Sequence, residues 1–523
     1  MPASQKIITK LRERRQIEAS LRAMLAVSSE LEFRQRAQEI ASLGSQVIPT
    51  LIGNLDQADA RLLAAMGTVA AHMDRDEVAR AMRRAVIQPQ RTDRGRIGAI
   101  TILERFLGQT PDDELLASLS DPEGVAISSL EEILDQAENS PATMIQYIEG
   151  LDQQEPYIVL AVMSSLRTSE GALDPSGQPQ RAIEPLRMMA QDVREEIAAE
   201  AVRALGSMQM PEAARALQIL LSIAWPSVQS LAERSLRKLQ FRGVDVAPLP
   251  PPEPGWRALI SPLNGLGQQS VWFIQRNERA EHARFLNILL SDRAGAVEAM
   301  GHMRVPVQML PPQRPRGHLH DIALPDGSGG MLMLEATFDV GRRHVLDALA
   351  HNLRTQIPVA GPLRLLSPWL WGVAGGDSLP PRELPDLPLE DGALLPASAE
   401  LLEHPAFVTW TARTEATFQA AEEVLLHPSW DRELWVRRLA GELLGDPAMA
   451  QVLSKRLEAM SEWLLLAGDA HRARLALVAS RTMLAEVPQD HPFLQAVVRR
   501  DLESIVHSLK SSFRLDNENK PIQ

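Results

Sequence analysis

Cysteine is absent from the 523 residues, which excludes a disulfide framework, thiolate zinc sites, cysteine-ligated iron–sulfur clusters and a cysteine nucleophile. The expected setting is a reducing compartment. Aromatic residues make up only 4% of the chain, and lysine supplies six of its 54 basic residues. No run of about 18 apolar residues occurs, so no membrane span is expected. The first fifteen residues carry Lys6, Lys10, Arg12, Arg14 and Arg15, but Glu13, Gln16 and Glu18 interrupt any apolar stretch after them. They read as an amphipathic first helix rather than an export signal, and the protein is expected to be cytoplasmic. A net charge of -13 argues against a general nucleic-acid binder.

Proline is plentiful but unevenly spread. Residues 1–246 hold 12 of the 37 prolines and 6 of the 21 aromatics, while residues 247–396 hold 19 prolines. Proline lacks a backbone donor and breaks helix interiors, so the first zone can be a helical array and the middle cannot. The run Ala247-Pro248-Leu249-Pro250-Pro251-Pro252-Glu253-Pro254-Gly255 predicts a stiff, extended spacer. The expected division is a helical region over 1–246, a linker over 247–255, a small alpha+beta module over 256–396, a helical region over 397–512 and a flexible tail over 513–523. The fold class is mainly α.

Within the first zone, apolar residues recur at helical spacing in segments broken by Gly, Pro, Asp and Asn. Phe33 to Gly44 and Val47 to Leu55 read as two short antiparallel helices. A shift of 34 residues aligns Ile197-Ala198 with Leu231-Ala232, Val202 with Leu236, Arg203 with Arg237 and Leu205 with Leu239, a period typical of stacked helical hairpins. The pattern Arg36-Ala37-x-x-Ile40-Ala41-x-Leu43-Gly44-x-x-Val47-Ile48-Pro49-x-Leu51-Ile52-x-x-Leu55-Asp56 resembles a HEAT-like repeat of the kind found in phycobilisome-lyase-type bacterial repeat proteins. Val193–Leu205, Glu212–Leu221 and Val228–Leu239 resemble it again, with degenerate repeats between about 110 and 190. The resemblance implies an alpha-solenoid used for protein contacts. It does not imply lyase activity, because the matching residues are packing residues.

In the middle zone, Arg257–Ile260 and Ser270–Gln275 flank Asn264-Gly265 and predict a β-hairpin. Phe285–Leu290 is expected as a third strand, Arg293–Met300 as a helix closed by Gly301, Gly330–Leu334 as extended and Phe338–Arg354 as a helix. Beyond residue 397 helical periodicity returns. His404-Pro405, His427-Pro428 and His491-Pro492 are expected to open helices, because Pro is favoured at the first helical position. Gly468-Asp469-Ala470-His471 to Leu484 resembles a hairpin of a helical repeat.

Few segments carry a chemical signature. Gly265-Leu266-Gly267-Gln268-Gln269-Ser270 resembles a dinucleotide loop, yet a β-prone run follows where that motif needs a helix. Asp326-Gly327-Ser328-Gly329-Gly330 lacks the spacing of a nucleophile elbow and reads as a turn. His344, Asp347 and His351 share one helical face, with His318 and His320 upstream, and together they are candidate zinc or iron ligands. The opposing reading is a solvated helix face, with Val345, Leu346, Ala348, Leu349 and Leu353 buried. Arg80, Arg83, Arg84, Arg91, Arg94 and Arg96 either line a ridge facing an acidic partner or, with Asp74, Asp76, Glu77 and Asp93, form a mixed solvated surface.

The leading functional expectation is a non-enzymatic scaffold or adaptor that binds a protein partner through its repeat surface and needs no cofactor. The alternative is an enzyme or ligand sensor with a His/carboxylate site in the middle module.

Overall fold

The computed structural model describes residues 3–25, 30–58, 60–109, 115, 134, 140–167, 179–277, 280–323, 330–387, 391–427, 431–444, 446–483 and 490–518. The chain is mainly helical with one antiparallel sheet, and among the described residues no helix is long and apolar enough to cross a membrane. It divides into two compact units: Met1–Tyr147 with Gln154–Gln178, and Ile148–Gln153 with Pro179–Gln523. The expected turn at 326–329, Pro428–Trp430 and much of the degenerate repeat stretch lie outside the described residues.

The first unit is built from α1 (Ala3–Met24), α2 (Glu30–Ala41), α3 (Ile48–Asn54), α4 (Ala60–Ala71), α5 (Arg75–Val86), α6 (Asp93–Thr101), most of α7 (Pro141–Asp152) and α8 (Pro156–Arg167). Its two best-defined caps use the expected chemistry: Asp74 accepts from Glu77 N, and Thr92 accepts from Gly95 N. The helix α2 packs against α4, and α3 against α5. Ala37, Leu51, Leu55, Met66, Val69 and Met82 belong to one continuous core, and the small side chain of Ala37 permits close helix approach.

Asp56 holds these helices together at one end. Its carboxylate accepts from Arg91 (2.7 Å), from the Thr92 hydroxyl (2.7 Å) and from the Thr92 backbone N–H (3.0 Å). Arg91 also reaches Ile52 O, and Arg94 donates to Ala58 O. A side chain at Gly95 would collide with Asp56, so glycine is required where the two segments meet. Two of the six arginines in the basic run, Arg91 and Arg94, are therefore structural.

The second unit opens with α9 (Ile183–Met189), α10 (Glu195–Ser207), α11 (Pro211–Leu220) and α12 (Pro226–Phe241). Here α9 packs on α11 and α10 on α12. The 34-residue shift seen in the sequence superposes α10 on α12, two helices in contact. Ala198, Ala201 and Ala213 are fully buried. The compact units do not divide at the proline-rich segment. That segment is tied into the second unit, with Ala247 O accepting from Gln218, Pro250 O from Ala374 N and Pro254 O from Gln275.

A six-stranded antiparallel sheet follows: β1 (Trp256–Ile260), β2 (Gln268–Gln275), β3 (His282–Ser291), β4 (Gly295–Pro306), β5 (Leu319–Ala323) and β6 (Gly330–Thr337), in the order β4-β3-β2-β1-β6-β5. The hairpin, the third strand and the extended 330–334 segment match expectation. The expected helix over Arg293–Met300 is instead strand β4. A short run of Ala, Val, Glu and Met is compatible with either state, and pairing along β3 decides it. The turn before β4 uses Gly295 at φ +74°, and Asn352 accepts from Ala296 N at 2.7 Å to hold it. In the β1–β2 turn the left-handed residue is Gly267, not Gly265. Buried Arg456 clamps both turns, donating to the carbonyls of Gly265 and Leu266 and pairing with Asp292.

One face of the sheet carries α13 (Phe338–Thr355). A Cβ at Gly341 would lie 2.7 Å from both Ala258 and Phe273, so the helix rests directly on the strands. Phe338 stacks on Trp256 at 5.0 Å and meets Phe273 edge-on at 5.7 Å, pairs worth about 0.5–1.5 kcal/mol each beyond their burial. The other face carries Leu259, Ile274, Phe285 and Met333, packed with Val305, Val307 and Leu310.

Helix α14 (Gly361–Trp371) joins the sheet module to the helices before it. Arg187 of α9 donates to Arg364 O (2.7 Å) and Ser367 Oγ (2.6 Å), and Arg215 of α11 donates to Gly372 O. Fully buried Arg364 grips both carboxylate oxygens of Asp152 at 2.9 Å. The remaining helices are α15 (Glu415–Leu426), α16 (Arg432–Leu444), α17 (Pro447–Leu466), α18 (Ala470–Thr482) and α19 (Pro492–Glu518). His404 caps the short turn Pro405–Phe407 through its side chain, and Pro492 opens α19. That helix continues through Glu518, into the stretch expected as a flexible tail.

Candidate functional site

The five candidate ligands fall into two groups on opposite faces of the sheet. His320 sits on β5 opposite Met333 in register, on the face away from α13. There, buried Glu335 is shared between two donors: Arg257 approaches its two oxygens at 3.0 and 2.8 Å, and His320 Nε2 lies 2.8 Å from Oε2. Arg257 also donates to Pro311 O, which latches the segment leading from β4 to β5. His318 is exposed, its ring edge-on to His320 at 4.9 Å. A cleft of about 330 Å³ opens beside this group, lined by Arg257, Glu335, Arg314, Arg316 and the first residues of α13.

His344 and Asp347 lie on α13 beside α17. His344 Nδ1 is 3.0 Å from Gln269 Oε1, and the Gln269 amide is fixed by donating to Ser261 O at 2.9 Å. Burial, reinforced by the charges of Arg343 and Arg382, lowers the His344 pKa to about 3. The ring is therefore neutral at physiological pH and carries its proton on Nδ1, donated to Gln269. Its Nε2 then accepts from Arg343 at 3.2 Å, so the lone pair a metal would need is engaged. Arg343 continues to Glu462 of α17, whose second oxygen lies 3.2 Å from Arg382 Nε. Burial raises the Glu462 pKa against the pull of both arginines. Asp347 is exposed and 3.8 Å from Arg382. His351 is one turn farther along, with its Nε2 buried and without a hydrogen-bond partner among the described residues.

Among the described residues, no group of three or more His, Asp or Glu side chains is placed to hold a metal ion. The sequence reading found the histidines but missed Arg257, Arg343, Arg382 and Glu462. Arg257, Arg382 and Glu462 come from outside the 318–351 stretch, and for Glu462 a signal was available. Glu462 stands inside the apolar run Met460-Ser461-Glu462-Trp463-Leu464, where an ionisable group survives burial only with a partner. No family model, curated protein or solved structure matches this chain.

Proposed function

We propose that the protein is a binding scaffold whose helices stack as HEAT-like repeats and present a surface to a protein partner. The observation carrying this reading is the packing of alternate helices on one another, α2 on α4 and α3 on α5, repeated as α9 on α11 and α10 on α12. A second recurrence supports it: Ile52-Gly53-Asn54-Leu55-Asp56 returns as Ile148-Glu149-Gly150-Leu151-Asp152 at the end of α7. In the second unit α9 and α11 are engaged by α14, so recognition is assigned to the first unit. There, α5 exposes Arg80 and Arg84, and Ile87 just past its end is exposed as well. On a chain of net charge -13 such a ridge suits an acidic segment of a partner.

The test is capture from the native cell with the intact chain. Parent protein is expected to retain a defined partner, and Arg80→Glu with Arg84→Glu to weaken that retention at least about tenfold with unchanged circular dichroism. Equal retention by both proteins overturns the assignment.

A ligand sensor or enzyme in the sheet module is the second reading. It rests on His344 and Glu462, whose protonation equilibria are pushed in opposite senses around a shared arginine. Its metal version has a direct check. Because Nε2 of His344 is already engaged, purified protein is expected to hold no stoichiometric zinc or iron. Bound metal lost on replacing His344 and His351 by Ala would establish the metal version instead.

A further inference from the structure

We propose that β4 is the pairing edge of a two-fold homodimer, joining the sheets of two copies through antiparallel β4–β4 contact centred on Met300. The strand is the longest in the sheet and ends its order. Among the described residues no strand pairs with its outer side. Val297, Met300 and Met303 are exposed along it, at 37%, 48% and 57%, and an open apolar edge of that length is a template for another strand. The opposite edge, β5, has five residues.

The register follows from the bulges. Pairing with β3 is regular only from Glu298 to His302, opposite Leu289 to Phe285, with irregularities at either end. Those irregularities discourage long foreign strands but leave one self-complementary stretch. An antiparallel pair centred on Met300 sets Met300 against its own copy, Ala299 against Gly301, and Glu298 against His302 twice. Glu298, Met300 and His302 share one face of the strand, so the acidic and imidazole side chains meet as direct cross-strand neighbours. A shift toward Gly301 would match Glu298 with Arg304, which lies beyond the bulge. A shift toward Ala299 would set Glu298 against Met300. Only the central register satisfies both charge and apolar contacts, and two-fold pairing is the commonest closed assembly.

The absence of cysteine makes the test clean. Directly opposed residues in an antiparallel pair have Cα atoms about 4.5–5.5 Å apart, within disulfide range. Met300→Cys is therefore expected to form a covalent dimer under mild oxidation, whereas Met303→Cys, equally exposed but off the axis, is not. Light scattering during size exclusion should show parent protein approaching twice the 57.7 kDa of one chain as concentration rises. Glu298→Arg should shift that protein back toward monomer, and adding His302→Glu should restore the dimer by setting an arginine opposite a glutamate again. A single-chain mass at every concentration, equal cross-linking at 300 and 303, or failure of the exchanged pair to restore dimer each overturns the proposal.

Discussion

Replacing Arg364 by Ala is expected to destabilise the second unit by about 3–5 kcal/mol, the usual cost of leaving one member of a buried ion pair alone. The side chain is fully buried, bonds both oxygens of Asp152 and donates through Nε to Val359 O at 2.9 Å. Burial already raises the Asp152 pKa even with Arg364 in place. Without the guanidinium, that carboxyl must take up a proton or draw in water. The measurement is selective, because all nine tryptophans lie at or after Trp225, so indole fluorescence follows the second unit alone. The double variant Asp152→Ala, Arg364→Ala should cost clearly less than the sum of the single changes, since it removes the stranded charge along with its partner. A loss under about 1 kcal/mol for Arg364→Ala would mean the pair contributes no more than an exposed one.

Acid should weaken the same unit, and His344 gives the sign. Its folded pKa is about 3, below an ordinary value near 6.5. Above pH 6.5 the ring is neutral in both folded and unfolded chains and contributes no slope. Below that pH the unfolded chain takes a proton the folded chain refuses, so stability falls by up to about 1.4 kcal/mol per pH unit until the folded pKa is reached. Burial lowers the His491 pKa as well, which adds in the same sense. Glu462 acts oppositely: its raised pKa means stability is lost as pH rises through its titration range and regained as pH falls. The histidine slope sets in below about pH 6.5, and the raised pKa values of Glu462 and Asp152 offset part of it. Urea unfolding at pH 7, 6 and 5 should show this slope in the parent and a shallower one in His344→Gln. Equal slopes would show that His344 titrates normally in the folded protein.

Elements set by neighbouring residues were legible. The β1–β2 hairpin followed from two β-prone runs around Asn264-Gly265, and α13 followed from the spacing of Val345, Leu346, Ala348, Leu349 and Leu353, of which Val345, Ala348 and Leu349 are buried and the other two half-buried. The same local information misread β4, because Gly295-Ala-Val-Glu-Ala-Met300 becomes a strand only through hydrogen bonding to β3. The candidate site was half legible for a related reason. Histidines 318 and 320 are close in sequence and in space, but the group that unites Arg257 with His320 is Glu335, and Arg343 meets its carboxylate 119 residues later. No local period encodes such pairings. The recurring Ile-x-x-Leu-Asp ending was present in the sequence, yet Asp152 meets a different fate from Asp56: it binds Arg364 of α14, where Asp56 binds Arg91 and Thr92.

The Asp152–Arg364 pair spans 212 residues, which imposes an order on synthesis. At a translation rate of about 5–20 residues per second, Asp152 leaves the ribosome roughly 10–40 s before its partner is made. Helices α9 and α11 wait for α14 over shorter spans, 177 residues from Arg187 to Arg364 and 157 from Arg215 to Gly372. The core cluster of the first unit, from Ile17 to Leu115, is synthesised entirely before α9, so it can form while the second unit is still a nascent chain. The period of greatest exposure to chaperones and proteases therefore begins with α9 and closes when Trp371 emerges.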